Sequence, residues 1–194
     1  RSPLRTSTTW NMRGRGSDGL AFTIMVASGQ HSALPHHETG DRALRAGECV
    51  LFDFGAKRAG YCSDMTRTVF LGKPEAKHHE VYDTVRTAQQ AALEAIRAGV
   101  DGKAVDAAAR DVITKAGHGE RFGHGTGHGL GLEVHEGPRL SPLTSQALPQ
   151  GAVVTVEPGI YEAGWGGVRI EDLVVVAADG CDNLTRSPKE LISL

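Results

Sequence analysis

The 194-residue sequence predicts an α+β fold, on three observations. Short runs rich in β-branched and aromatic residues fall in the first third of the chain and again in the last, and two segments of helical periodicity lie between them. The early and late strand pairs also resemble each other, each carrying two acids within otherwise apolar stretches. Strands, then helices, then strands is the order of an α+β domain rather than of repeating βα units.

Residues 1–20, "RSPLRTSTTWNMRGRGSDGL", are basic, rich in Ser and Thr, and interrupted by Pro3 and three glycines. That composition predicts an irregular arm, or the remnant of a longer N-terminal region, ahead of a single domain over 21–194. "FTIMVAS" (22–28) reads as the first strand, with "ECVLFDFG" (48–55) and "CSDMTRTVFLG" (62–72) as the second and third. In "EAKHHEVYDTVRTAQQAALEAIRAG", residues Val81, Val85, Ala88, Ala92 and Ile96 share one helical face, and Gly99 stops the pattern. A second helix, about 103–116, repeats it with Val105, Ala109, Val112 and Ile113 and ends at Gly117. A segment rich in Gly and His follows, and then "AVVTVEPGIY" (152–161) and "GGVRIEDLVVV" (166–176), two strands around a glycine turn.

Composition narrows the function classes. With 40% hydrophobic and 23% charged residues and a net charge of -2, the chain has the make-up of an ordinary globular protein and no basic excess to recruit nucleic acid. Cys49, Cys62 and Cys181 are odd in number, widely spaced and without CxxC, which argues against a disulfide framework or zinc knot and fits a reducing cytoplasm. No run approaches the roughly 18 to 20 apolar residues of a membrane span, and the N-terminus has no signal-peptide core. The expectation is a cytoplasmic protein with neither a membrane nor a nucleic-acid partner.

The acids in the two strand pairs are the main chemical signal. A first hairpin with Arg58 and Ala59 at its tip pairs Lys57 with Gly60 and sets Asp53 opposite Asp64, β-carbons about 5 Å apart on one face. A second hairpin centred on Gly164 sets Glu157 opposite Glu171. Like charges so placed in apolar strands call for a cation between them. Four hard oxygens suit one or two divalent ions, and a histidine would move the preference from calcium towards manganese, cobalt, iron or zinc. The alternative is that these are edge acids paired with Arg67 and Arg169.

Histidines are concentrated in "FGHGTGHGLGLEVHEGP" (122–138), which carries His124, His128 and His135 among six glycines. Such a run suits backbone that approaches a ligand or another strand closely, or a flexible loop with solvated histidines. No Lys-Ser/Thr follows the glycines and Rossmann spacing is absent, so a phosphate cradle is disfavoured. "DFG" at 53–55 lacks the other kinase elements. His36, in "SGQHSALPHH", sits on the loop feeding the first hairpin; His37, His78, His79 and His118 are expected at the surface and Cys62 as a small buried filler.

The ordered set "SGQHSALPHH", "DFGAKRAGYCSDMTRT", "GHGTGHGLGLEVHEGP", "EPGIY" and "GVRIED" resembles the catalytic domain of the pita-bread metallopeptidases, in the branch of Xaa-Pro dipeptidases (prolidases) and aminopeptidase P. The likeness runs over about 22–194. It implies a curved antiparallel sheet backed by helices, with internal pseudo-two-fold symmetry and a centre of two divalent ions. Manganese is the ion first expected, with cobalt, zinc or iron as alternatives. The family's metal ligands fall on Asp53, Asp64, His128, Glu157 and Glu171. Asp53 would chelate one ion, Asp64 and Glu171 would bridge both, and His128 and Glu157 would complete the other. The centre would activate a water for attack on the scissile carbonyl. Glu157 would also shuttle the proton, and His135 would hydrogen-bond the carbonyl or tetrahedral intermediate. His36 and His124 would line the proline-side pocket, and Arg169 would pair with Asp53.

The implied activity is hydrolysis of the bond between an N-terminal residue and proline. Aminopeptidase P, methionine aminopeptidase and a non-catalytic pita-bread binding module are the alternatives, but "EPGIY" and "GVRIED" belong to the proline-specific branch. Members of that branch carry an additional N-terminal domain and open the catalytic domain with an acidic, alanine-rich helix. Here "RSPLRTSTTWNMRGRG" holds that place, so the chain reads as a domain cut from a longer protein or one with an altered start. A homodimer is the assembly that the resemblance suggests.

Overall fold

The structure, a computed structural model, describes residues 3–194. It opens with helix α1 (Pro3–Gly14), then β1 (Gly19–Leu20), β2 (Met25–Ser28), β3 (Cys49–Phe54), β4 (Ala56–Arg58), β5 (Tyr61–Cys62) and β6 (Met65–Phe70). Helices α2 (Ala76–Ala95) and α3 (Gly102–Lys115) come next. The second half holds β7 (Gly127–Gly129), β8 (Glu136–Leu140), β9 (Val153–Val156), β10 (Gly159–Glu162), β11 (Gly166–Arg169), β12 (Asp172–Val176), β13 (Cys181–Asn183) and β14 (Ile192–Ser193). Helices lie between two sets of strands, as the α+β reading expects.

One sheet has the order β14-β6-β3-β2 and another β13-β12-β9-β7-β8; the pairs β4-β5 and β10-β11 extend the hairpins beyond them. The halves correspond. β2 beside β3 matches β7 beside β9, and each half carries one long hairpin interrupted part-way, β3-β4/β5-β6 in the first and β9-β10/β11-β12 in the second.

The helices are placed by their apolar faces. Val81, Tyr82, Val85, Ala88 and Ala92 of α2 and Val105, Ala109 and Ile113 of α3 are buried against Val154, Val156, Ile160, Val168 and Val174 of the second half, forming the main core. Helix α3 starts at Asp101, whose carboxylate accepts the Lys103 N–H at 2.9 Å, and stops before Gly117 at φ +85°. The start of α2 is capped by His78, in its first turn, whose Nδ1 accepts the Glu75 N–H at 3.0 Å.

The structure corrects three sequence-based expectations. Residues Pro3–Gly14 are helical rather than irregular: proline sits in the first turn, where its missing N–H costs nothing, and Leu4 and Met12 pack on the small core around Ile24, Val26 and Val50. The first hairpin turns at Ala59 and Gly60, which take positive φ of 50° and 87°, so Arg58 faces Tyr61 and Asp53 faces Thr66 rather than Asp64. His78 and His118 are buried rather than at the surface, His78 stacked on Trp165 with centroids 5.3 Å apart and His118 within hydrogen-bond reach of Arg121. Cys62 is buried, as expected.

Candidate metal centre

A cleft of about 1240 Å³ opens between the two halves. All nine residues singled out from the sequence line it: His36, Asp53, Asp64, His124, His128, His135, Glu157, Arg169 and Glu171. Three of the four acids, Asp64, Glu157 and Glu171, lie where their hairpins lose backbone pairing; Asp53 lies one residue inside the β3 ladder. The second hairpin keeps the predicted register, with Gly159 opposite Arg169 on one side of the gap and Val156 opposite Asp172 on the other. Glu157 and Glu171 occupy matching places within that gap.

His128 is brought in by β7, which carries the glycines of the histidine segment. A β-carbon on Gly127 would stand 1.9 Å from the Thr155 carbonyl oxygen, so only glycine lets β7 lie this close to β9. The His128 Nδ1 faces the Gly129 carbonyl at 3.0 Å and must donate to it, which turns Nε2 into the cleft. There Nε2 lies 3.3 Å from Glu157 Oε1 and 3.8 Å from Asp64 Oδ2.

Asp64, His128 and Glu171 each offer a ligand atom within 4.8 Å of the others, and all three are buried. Asp53 Oδ2 accepts from Arg169 Nη2, and Glu171 Oε2 accepts a 2.6 Å hydrogen bond from the Thr66 hydroxyl. The other oxygens of this group are unsatisfied: Asp53 Oδ1, Asp64 Oδ1 and Glu171 Oε1 are buried without a hydrogen-bond partner. Buried polar atoms are rarely left in this state. Three carboxylate oxygens with spare lone pairs, beside an imidazole nitrogen held in the right tautomer, fit a divalent cation by both donor type and geometry.

Electrostatics agree. Burial, reinforced by the charges of Asp53 and Glu157, pushes the Asp64 carboxyl up to about 8. Burial and the charge of Asp64 raise Glu171 well above the carboxylate range, and burial raises Asp53 despite Arg169. Burial would raise Glu157 too, but the hydrogen bond that His128 gives it when the ring is protonated and the charge of Arg169 outweigh it and hold that carboxyl at about 2. The site lacks positive charge for the acids it gathers.

The structure also limits one expected role. His124 uses both ring nitrogens on protein: Nδ1 on the Gly125 carbonyl at 2.8 Å and Nε2 on the Tyr161 hydroxyl at 2.7 Å, while Tyr161 also receives Arg169 Nη1 at 3.2 Å. It therefore presents a ring, not a free nitrogen, to the cleft. His135 is exposed, its ring edge-on to His128 with centroids 4.3 Å apart, and His36 is also exposed and lines the cleft. Tyr161 and Thr66 were given no role from the sequence. Tyr161 stands in the quoted "EPGIY" and could have been asked for a partner; Thr66 was hidden by the hairpin register.

Comparison with known proteins completes the description. The sequence profile of metallopeptidase family M24 matches residues 6–178. An Xaa-Pro dipeptidase of Pyrococcus horikoshii is 44% identical over 93% of this chain and 52% of its own length. The structure of an Xaa-Pro dipeptidase from Bacillus anthracis superposes with a TM-score of 0.97 at 48% identity, over 98% of this chain and 54% of that one. An X-Pro aminopeptidase from Thermotoga maritima superposes at 0.96 with 44% identity, over 98% and 54%. These matches confirm the pita-bread fold. The chain spans about half the length of these relatives.

Proposed function

The chain belongs to metallopeptidase family M24, and from that premise we propose that it is the catalytic domain of a proline-specific exopeptidase, an Xaa-Pro dipeptidase using two divalent ions, manganese first. The observation that carries the proposal is the set of unsatisfied buried oxygens, Asp53 Oδ1, Asp64 Oδ1 and Glu171 Oε1, gathered in a cleft beside His128 Nε2. Asp53, Asp64, His128, Glu157 and Glu171 would hold the ions. Bound there, the ions would polarise the scissile carbonyl and make water a nucleophile at neutral pH.

The remaining work falls to side chains. A bond to proline is a tertiary amide whose nitrogen leaves only when protonated, and Glu157, ionised at neutral pH, takes a proton and passes it to that nitrogen. His135, unencumbered on the cleft wall, donates to the carbonyl oxygen as charge develops on it. His36 lines the proline-side pocket with His124 and helps orient the substrate. Arg169 fixes Asp53, and through Tyr161 it also fixes His124, which shapes the proline-side wall. The division into residues 1–20 and a catalytic domain over 21–194, a cytoplasmic location consistent with three free cysteines, and a homodimer belong to the same proposal.

Aminopeptidase P activity is the second reading, favoured by a cleft large enough for more than a dipeptide and by the likeness to the Thermotoga maritima enzyme. The test is release of free proline from an Xaa-Pro dipeptide, run beside an Xaa-Pro-Yaa tripeptide, with manganese and with chelator. Manganese-dependent proline release is expected. Cleavage of the tripeptide alone moves the assignment to aminopeptidase P, and turnover indifferent to chelator overturns both readings.

A further inference from the structure

Helix α3 carries a polar constellation that none of these roles uses. Asp106 and Arg110 stand one turn apart on the side of α3 that meets the histidine segment. The Asp106 carboxylate is 1% exposed, and its Oδ1 accepts both the backbone N–H and the hydroxyl of Thr126, each at 2.9 Å. Arg110 forks onto the same carboxylate, Nε to Oδ2 at 2.8 Å and Nη2 to Oδ1 at 3.0 Å. Its guanidinium also reaches the carbonyls of Phe122 at 2.8 Å and His124 at 2.7 Å, and lies 4.2 Å over the Phe122 ring.

Residues 122, 124 and 126 are thereby bound, every second one, to two side chains of a single helix. The residues between them, Gly123 and Gly125, have no side chain with which to set their own course. Thr126 carries the constraint further, because its carbonyl accepts the Glu157 N–H at 2.7 Å, and two residues on the chain reaches His128. An i,i+4 ion pair that served only to support a helix would gain little from burial, and burying a carboxylate is costly unless its lone pairs are filled. Here Thr126, in the segment that carries the histidines, supplies two of the four hydrogen bonds, and Arg110, itself bound to the carbonyls of that segment, supplies the other two.

We propose that Asp106 and Arg110 are positioning residues: a clamp on α3 that sets where His124, His128 and Glu157 stand in the cleft. What is being positioned rests on the functional reading above; that the clamp imposes the geometry does not.

The test uses the full chain and the variants Asp106→Asn, Arg110→Lys and Thr126→Val. Lysine keeps the charge of Arg110 but cannot fork, and valine keeps the Thr126 N–H but not its hydroxyl. Loss of such outer support is expected to weaken manganese binding and lower kcat by about 10- to 100-fold, with KM little changed. In the metal-free protein, amide exchange at Thr126 and Glu157 should accelerate at least ~10-fold while α2 amides keep their parental rates, a pattern that simple loss of stability does not give. Thr126→Ser, which restores the hydroxyl, should recover both readouts. Parental manganese affinity and kcat in all three variants, with exchange rising evenly across the core, would overturn the clamp. Should Asp106→Asn not fold, Arg110→Lys and Thr126→Val decide. Should the parent protein itself bind no manganese, the functional reading fails and the exchange pattern still decides the clamp.

Discussion

Replacing Asp64 with asparagine is expected to stabilise the metal-free protein and abolish binding of at least one manganese equivalent. Asp64 is 7% exposed, its Oδ1 has no partner, and its Oδ2 lies 3.8 Å from the nearest histidine nitrogen. Burial and the charges of Asp53 and Glu157 lift its pKa from 3.8 to about 8. The folded-state value stands above the unfolded one, so the contribution of Asp64 to stability is fully present below about 3.8 and is lost as pH rises through about 8. Over that interval the loss is about 1.4 kcal/mol per pH unit, a ceiling of about 6 kcal/mol at pH 9. Glu171 and Asp53 relax when the neighbouring charge is removed, so we expect the asparagine variant to recover about half, roughly 3 kcal/mol. For a chain of this size that is about 6 to 12 °C in Tm.

The assay is thermal unfolding of both proteins with chelator at pH 5 and pH 9, repeated with excess manganese. The parent should lose more stability between pH 5 and 9 than the variant, which keeps the raised carboxyls of Glu171 and Asp53. With manganese at about 100 times its Kd the parent should regain about 2.7 kcal/mol that the variant cannot. A variant that melts at or below the parent at pH 9 without metal would mean that the protein itself satisfies this charge, and Asp64 would no longer stand as a ligand.

Two further outcomes follow from the same geometry. Gly127→Ala places a β-carbon 1.9 Å from the Thr155 oxygen; overpacking should cost about 1 to 3 kcal/mol in chemical denaturation and, by moving β7 away from β9, weaken manganese binding more than ten-fold by calorimetry. Unchanged affinity would show that His128 can be held without this strand approach. His135→Ala removes an exposed side chain and should leave stability within about 0.5 kcal/mol while lowering kcat by roughly 10² to 10³, measured on an Xaa-Pro dipeptide. A kcat within two-fold of the parent would take His135 out of the chemistry.

How much was legible in the sequence depended on whether a local rule governed the position. Helix α2 was expected over 75–99 and runs Ala76–Ala95, because its buried stripe repeats at helical spacing; Ile96 leaves the helix for extended backbone yet stays in the core. The second hairpin was read in register because Gly164 centres its loop. The first was read two residues off because the glycine was placed beside the turn, when its positive φ belongs inside it. Helix α1 was missed because its propensity is poor and its support comes from packing on distant strands. The burial of His78 was equally out of reach, since Trp165, on which it stacks, lies in another hairpin.

The hairpin error left the site legible, and the reason lies in how the ladders break. In the first hairpin Phe54 pairs with Met65, and pairing resumes three residues along each strand, at Lys57 with Cys62. In the second, Val156 pairs with Asp172 and pairing resumes, again three residues along, at Gly159 with Arg169. Register is kept across each gap, so neither is a slip; in the first the Ser63 N–H still bonds the Ala56 carbonyl across the hairpin while the Gly55 carbonyl turns to the Ala21 N–H. In the second hairpin the released N–H of Glu157 goes to the Thr126 carbonyl, and that of Glu171 goes to the Thr66 carbonyl of the other half. Asp53, still paired within the β3 ladder, lines the same cleft as Asp64, Glu157 and Glu171 in the gaps, because side chains stand out from the sheet face whether or not the backbone is paired. Because register survives, a two-residue error moves Asp64 along the same face without turning it away. The Glu171 N–H to Thr66 carbonyl bond joins the halves at this point, so spacing between the acids depends on how the halves meet as well as on either hairpin alone.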